Sequence, residues 1–436
     1  MRALSLWRPL LGLEHTAIED IEYDGTGPLV VRVRPMARVK NRCGRCRRPS
    51  PRYDNGQGRR YWRSLDLSTT LTYLSAEAPR VRCRSHGVVV AHVPWATHGA
   101  GHTHAFDQQV AWLTVRYSQS AVGEFMRVAW RTVGAMVGRV WDSAEAAALL
   151  DGLGDGLDGL VRIGIDEISY KRNHKYLTVV VDHDTGKLVW AAEGRDKATL
   201  RRFFDELGAD RCGRITHVSA DGADTIDEVL AERCPTAIRC ADPFHVVKWA
   251  NDALSRVRID AWNDARALAR TEPAPLAGWA RRTQSLPGRD RAHKLRHSRL
   301  ALGKNPENLT DRQRAKLEWI AVADPRLYRA YLLKERLRLV FKMPPEQAGP
   351  ALDEWIEAAS ESGLPAFVDL QRRIVKHRDR ILAAIEHEMS NGLVESVNTK
   401  IRVITRVAFG FHHAHGLIAL AMLSLGRHKP VLPGRA

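Results

Sequence analysis

Cystine scaffolding is excluded first: six cysteines in 436 residues are too few for a secreted, disulfide-knit fold. Long apolar runs are missing too. No stretch reaches about 18 consecutive apolar residues, so nothing in the sequence reads as a membrane span. No long pattern pairs an apolar face with a Lys-rich one, which argues against a helix lying on a membrane surface. The N-terminus lacks the charged, apolar and small-residue order of a secretion signal, and the expected location is the cytoplasm. Acids are the scarce charge. Asp and Glu total 50 against 67 Lys and Arg, a net charge of +17. An excess of that size, with several Arg clusters, points to a polyanionic partner.

What is present is an ordinary globular balance, 44% hydrophobic and 27% charged, on a chain long enough for about two to four domains. The most informative stretch is Leu-Val-Arg-Ile-Gly-Ile-Asp-Glu-Ile-Ser-Tyr at 160–170. It begins apolar and β-branched, reads as a buried strand, and ends on Asp166 and Glu167. An ionised carboxylate there needs a partner or a metal. A second strand-like run, 214–221, ends on Asp221 in the same way.

Two further patterns precede these strands. Alternating runs over 17–34, split by Asp24-Gly-Thr-Gly27, predict a β-hairpin. Cys43-x-x-Cys46 and Cys83-x-x-His86 then supply three thiolates and one imidazole, a tetrahedral zinc set with all positions filled by protein. His92, His98, His102 and His104 compete for the fourth position, and four unligated buried residues are the alternative. Arg42, Arg45, Arg47 and Arg48 surround the first pair and are expected to face phosphates. From 104 to about 141 the periodicity predicts three short helices. Phe106, Val110, Leu113 and Tyr117 share one face on the first, Ser118 or Ser120 caps the second, and Val133, Met136, Val137 and Val140 face inward on the third. That is a helix-turn-helix layout, with Trp130, Arg131 and Thr132 where DNA contacts are made; a plain helical bundle is the alternative. The Gly- and Asp-rich 151–158 reads as a linker.

After the opening strand come strands at 174–182 and 187–192, joined by a turn in which Asp182 and Asp184 are turn formers. A helix at 197–207, the Asp221 strand, a helix at 224–233 and a strand at 237–242 follow. Three antiparallel strands followed by two parallel ones make a ribonuclease-H-like order, a mixed five-stranded sheet with Asp166 and Asp221 on neighbouring strands. A third acid should come from a helix beside that sheet. Glu395 is the candidate, with Glu386 and Glu388 as rivals. Leu393, Val397, Ile401, Ile404 and Ala408 fall on one predicted buried stripe, and Glu395, Asn398, Arg402 and Thr405 on a polar one. Asn398, Lys400, Arg402 and Arg406 are expected to meet DNA. Asp166, Asp221 and Glu395 together suit two Mg²⁺ (or Mn²⁺) ions acting on a phosphodiester. Glu167, Asp242 and His245 are expected just behind them, with Asp242 equally readable as the N-cap of the helix that starts at Pro243.

Glu395 follows Asp221 by 174 positions, and 250–385 between them is helix-like and basic. Arg281, Arg282, Arg289, Arg291, Lys294, Arg296 and Arg299 form one run, and Lys334, Arg336 and Arg338 another. Thr310-Asp-Arg-Gln313 has capping-box form. Trp249, Trp262, Trp279, Trp319 and Trp355 are expected in the core. His412, His413 and His415 are left unassigned. The expected α/β multidomain organisation is 1–100, β-hairpin and zinc module; 101–150, helix-turn-helix; 158–250, first part of the ribonuclease-H-like core; 251–385, all-helical insertion; 386–425, the core helix with the third acid; and 426–436, a tail.

These segments, in order, resemble the DDE transposases of bacterial insertion sequences, in the ISL3 group. The matching motifs are Cys-x-x-Cys with Cys-x-x-His-Gly, Val-Pro-Trp-Ala, Gly-Ile-Asp-Glu, Ser-Ala-Asp-Gly-Ala-Asp, Asp-Pro-Phe-His-Val-Val-Lys, and Ser-Asn-Gly…Glu-Ser-Val-Asn-Thr-Lys-Ile-Arg…Ala-Phe-Gly-Phe, spread from about 43 to 411. The resemblance implies that Asp166, Asp221 and Glu395 are catalytic, that the insertion lies between the last two, and that the chain binds the element's terminal inverted repeats. At one place the pattern departs: an aromatic residue is expected soon after Asp224, and Thr225-Ile226 stands there. Paired element ends imply at least a homodimer on double-stranded DNA, both ends and target. A DNA-binding regulator on an inactive sheet domain is the competing reading; it predicts salt-sensitive binding without Mg²⁺-dependent cleavage.

Overall fold

The computed structural model describes residues 3–150, 155–171, 175–221, 224–273, 287–389, 391–411 and 413–434. The first half of the 151–158 linker, His174, Trp279, Arg281, Arg282 and His412 lie outside the described residues.

The N-terminal part is built on two small sheets. Strands β1 (Thr16–Glu22) and β2 (Leu29–Pro35) form the expected hairpin, and the Asp24 carboxylate accepts the Thr26 and Gly27 amides in its turn. β3 (Arg52–Asp54) opens the second sheet, and β4 (Arg59–Arg63) returns to the first. β2 pairs in parallel with β5 (Thr72–Glu77), which pairs with β4. The second sheet is completed by β6 (Arg80–Cys83) and β7 (Gly87–Val90). Val31, Val33, Trp62, Leu74 and Trp95 fill the first sheet's core.

Three helices follow. Thr103 caps His104–Thr114, and Ser118 caps Gln119–Phe125. The third, Trp130–Leu150, runs beyond the expected end because Ala- and Leu-rich sequence continues its pattern with no breaker. Asp107 and Arg139 tie the first helix to the third by two hydrogen bonds of 2.7 and 2.8 Å. These helices have no separate core. Phe106, Val110, Met136 and Trp141 pack with Ile168, Leu177 and Val179 of the large sheet and with Val394, Val397 and Leu417.

That large sheet comprises β8 (Arg162–Lys171), β9 (Lys175–Asp182), β10 (Lys187–Glu193), β11 (His217–Ala220) and β12 (Ile238–Ala241). Their order is β10-β9-β8-β11-β12, antiparallel from β10 to β8 and parallel from β8 to β12. Five strands in a mixed sheet were expected, but β8 does not end at its acids. It continues to Lys171, with Asp166 opposite Val179 in mid-strand. Asp182 makes the turn after β9, accepting from the Asp184 amide and from the Thr185 hydroxyl at 2.5 Å. Both faces are covered, which suits the unbroken apolar run of β9. Leu200, Phe203 and Phe204 of the Lys197–Leu207 helix pack on one face. The helices Gly392–Val407 and Ala414–Leu425 pack on the other.

Between β12 and Gly392 the chain is helical wherever it forms regular structure among the described residues. The long helix Pro243–Thr271 carries Leu254 and Val257 into a core with Leu327, Leu337, Trp355, Phe367 and Ile374. Trp355 is fully buried and donates to the Leu333 carbonyl at 2.7 Å; Trp249, Trp262 and Trp319 are half-buried around it. Thr310 and Gln313 make the expected capping box. Lys334 and Arg338 are not a solvated run: both are buried and pair with Glu335, Lys334 directly and Arg338 at 2.7 Å.

One close approach fixes how the Gly392–Val407 helix meets the sheet. A Cβ on Gly164 would lie 2.4 Å from a Val394 methyl and 2.8 Å from the His183 ring. Gly164→Ala is therefore expected to lower stability by about 1–3 kcal/mol. A thermal melt at wild-type temperature would show that the helix is not seated there.

Candidate metal centres and nucleic-acid interface

The first centre joins two turns. Cys43 and Cys46 flank a knuckle, and Cys83 and His86 lie on the β6–β7 turn, closed by Gly87 at φ 65°. The four ligand atoms lie within 4.8 Å of one another. Cys46 Sγ is 3.7 Å from Cys83 Sγ, and His86 Nδ1 is 3.6 Å from both Cys43 Sγ and Cys83 Sγ. A tetrahedron with metal–sulfur bonds of about 2.3 Å and metal–nitrogen bonds of about 2.0 Å has edges of roughly 3.6–3.8 Å. These three separations fit zinc, and four protein ligands leave no open position, as in a structural site. The His86 ring, helped by backbone amides, pulls the Cys83 thiol down to about 6, toward the thiolate a metal needs. His92, His98, His102 and His104 stand outside the set; a Cβ on Gly44 would collide with the His98 ring at 2.3 Å.

Around this knuckle the arginines divide. Arg45, Arg47 and Arg48 are exposed. Arg42 is half-buried and donates to the Arg47 and Arg38 carbonyls at 3.1 and 3.4 Å, so it braces the knuckle instead of facing outward. On the third helix Trp130, Arg131 and Thr132 are all exposed at the N-terminal end, and Arg131 lies over the Trp130 ring at 5.6 Å.

The second centre lies on the large sheet. Ser219 of β11 is in register with Gly164 of β8. Two residues further, at equivalent positions on these parallel neighbours, stand Asp166 and Asp221. The Gly392–Val407 helix crosses the same face. Asn391 accepts a hydrogen bond from Ser219 Oγ, Val394 sits over Gly164, and Asn398 Nδ2 donates to Asp166 Oδ2 at 2.7 Å. His183 Nε2 is 2.7 Å from Ser219 Oγ, so a Ser–His–Asn set pins the helix start. Glu395 is half-buried one turn before Asn398, about 4.5 Å along the axis on an adjoining line of the helix. Among the described residues, the zinc set is the only group of three or more potential ligands mutually within 4.8 Å; the three acids do not gather that closely.

Electrostatics marks this face. Burial pushes the Asp166 carboxyl up to about 6, with Asp221 and Asp242 adding repulsion against the pull of the Glu167 amide and His245. His245 is held at 2.5 Å by Asp242, which raises its proton affinity. Asp242 is also the N-cap, accepting from the Phe244 amide at 3.0 Å. Glu167 departs from expectation. The alternation of β8 turns it to the opposite face, into a small cavity with Thr178, Arg195 and Thr225, where burial and then Asp221 push it up to about 7. Glu386 and Glu388 are exposed.

Asn398 departs as well. It is 1% exposed and binds Asp166, so it cannot face DNA, whereas Lys400, Arg402 and Arg406 are exposed on that helix. Sequence reasoning also missed Arg239, largely covered on β12 with its side chain 13% exposed. Its guanidinium donates to the carbonyls of Ala220 at 3.2 Å and of Asp221, and its Nε to Asp227 at 3.0 Å. Arg380, returning from the insertion, binds the other Asp227 oxygen at 2.5 Å. No spacing rule signals such a clamp; only the odd arginine within a short buried strand hints at it. No helix among the described residues is long and apolar enough to cross a membrane.

Comparison with known families agrees with this layout segment by segment. A zinc-finger model of the IS204/IS1001/IS1096/IS1165 transposases matches residues 40–86. The helix-turn-helix model of transposase family ISL3 matches 91–141, and the ISL3 DDE model described as a transposase matches 163–421. The transposase for insertion sequence element IS1557 of Mycobacterium tuberculosis is 58% identical over 446 aligned positions, covering 100% of this chain and 98% of the relative. The transposase for IS1001 of Bordetella parapertussis is 27% identical, covering 93% of this chain and 94% of that one. The chain belongs to the ISL3 family of DDE transposases.

Proposed function

We propose that the large sheet is a ribonuclease-H-like catalytic core in which Asp166, Asp221 and Glu395 hold two Mg²⁺ (or Mn²⁺) ions. The protein then cleaves DNA at the terminal inverted repeats of its insertion sequence and joins the freed 3′-hydroxyl to target DNA. The observation that carries this reading is the pairing of two half-buried aspartates, Asp166 within β8 and Asp221 just past the end of its parallel neighbour β11, beneath the helix that bears Glu395. Hard carboxylate oxygens are the donors Mg²⁺ prefers. When bound, the ions supply charge neutralisation at the phosphodiester and an activated oxygen nucleophile.

The chain's own groups do the positioning. Asn398 fixes one Asp166 oxygen and the Glu167 amide the other, at 2.8 Å, so the carboxylate cannot swing away. Arg239 holds the backbone at Asp221. Exposed Lys400, Arg402 and Arg406 offer phosphate contacts along the same helix. The zinc module and Trp130–Thr132 bring sequence recognition, and two element ends imply a homodimer in the DNA complex.

Supercoiled DNA carrying the two element ends tests this. Mg²⁺ is expected to produce nicks at the ends and EDTA to prevent them. Tight, salt-sensitive binding with no nicking under any divalent ion would instead identify a DNA-binding regulator.

A further inference from the structure

The Pro243–Thr271 helix begins beside the acids and carries its middle turns away into the insertion. There it forms one wall of a cleft of about 340 Å³. Asn251, Asp252, Ser255 and Arg258 line that wall, and Arg299 and Lys304 face them from the short Arg299–Gly303 helix and its C-cap. Three cations meet one acid. None of the three forms an ion pair among the described residues, although Arg291, Arg338 and Arg378 of the same insertion all pair with carboxylates. Arg258 Nε is buried without a hydrogen-bond partner. Burial and the facing Arg299 both disfavour its charge, a strain that an entering anion relieves.

We propose that this cleft is a phosphate-binding site that grips the backbone of bound DNA, with Arg258 and Arg299 as paired forks and Lys304 as a point charge. The proposal rests on the reading of the acid-bearing face as the place where DNA is cut. The helix then acts as a ruler. From His245 to Arg258 is thirteen residues, which at about 1.5 Å each is roughly 20 Å, or about six base pairs of B-form DNA. The gripped phosphate lies about that far from the cut bond.

The test uses full-length protein and an end-bearing duplex, with binding followed by fluorescence anisotropy across salt. The double variant Arg258→Gln/Arg299→Gln is expected to flatten the log–log salt slope by about 1–2 and weaken binding severalfold at physiological salt. Because Arg258 is half-buried, the exposed pair Arg299→Gln/Lys304→Gln is measured beside it and should show the same flattening at an unchanged melting temperature. A scan with single uncharged methylphosphonate linkages should reproduce the loss in wild type at about six base pairs from the cut, and have no further effect in either variant. Unchanged slopes together with a flat scan overturn the proposal. So does stabilisation by inorganic phosphate or ATP that both variants abolish while DNA binding stays as in wild type; the cleft would then serve a free phosphate compound. Absence of Mg²⁺-dependent nicking alongside the flattened slope would refute the cleavage reading but not the grip. Normal nicking alongside an unchanged slope would refute the grip alone.

Discussion

Asp166→Ala is expected to abolish Mg²⁺-dependent nicking, by a factor on the order of 10³ or more, while end binding stays near the wild-type level. Both oxygens of the Asp166 carboxylate are held, by the Asn398 amide and the Glu167 N–H. The alanine variant leaves the buried Asn398 amide without its acceptor, which costs about 1–3 kcal/mol. Asp166→Asn separates the two effects. Its carbonyl can accept from the Glu167 N–H while its NH2 donates to the Oδ1 of a turned-over Asn398 amide, and it removes a charge that Asp221 and Asp242 repel. The metal-free asparagine variant should therefore melt at or above the wild-type temperature, yet be as inactive as the alanine one. Wild-type nicking by Asp166→Asn would remove Asp166 from the catalytic set.

The second large effect concerns the Cys43–Cys46–Cys83–His86 set. Cys43→Ser should eliminate the single equivalent of tightly held zinc, expose the N-terminal sheets to protease and abolish end binding. Structural zinc in small modules contributes about 10–16 kcal/mol to the folded state at neutral pH, comparable to a domain's whole net stability of about 5–15 kcal/mol. The three-stranded sheet bearing Cys83 adds little apolar area of its own, since the neighbouring core is made by Val31, Val33, Trp62, Leu74 and Trp95 of the other sheet. The large sheet and insertion use none of these residues in their cores and should stay folded. Wild-type protein purified with zinc available but containing none, or a Cys43→Ser variant that retains a full equivalent, would contradict the assignment.

Local spacing accounts for what was legible beforehand. Two Cys/His pairs on tight turns, strands of β-branched residues between turn formers, and inward faces such as Val133, Met136, Val137 and Val140 are all specified within a few residues. Rotations set by distant contacts were not legible. Reading Leu393 as the start of the buried stripe places Asn398 on the polar side. The pocket over Gly164 accepts Val394, and the buried face of Val394, Val397, Asn398 and Ile401 keeps two residues of the expected stripe but is turned enough to bring Asn398 down onto Asp166. Asp166 lies in mid-strand because β9 goes on pairing with Ile168 and Ser169, a fact of register that the sequence around Asp166 does not contain. The Arg239–Asp227–Arg380 clamp joins residues far apart in the chain, and no periodicity announces it.

The helix-turn-helix segment shares its interior with the sheet: Met136 and Trp141 lie among the same side chains as Ile168 and Val397. If DNA is cut at the acids as proposed, a recognition segment welded to them in this way behaves as a fixed-jaw calliper. The number of base pairs between the recognised bases and the severed bond is then a property of one folded body, and inserting half a helical turn of DNA between them would present the wrong side of the duplex to the acids.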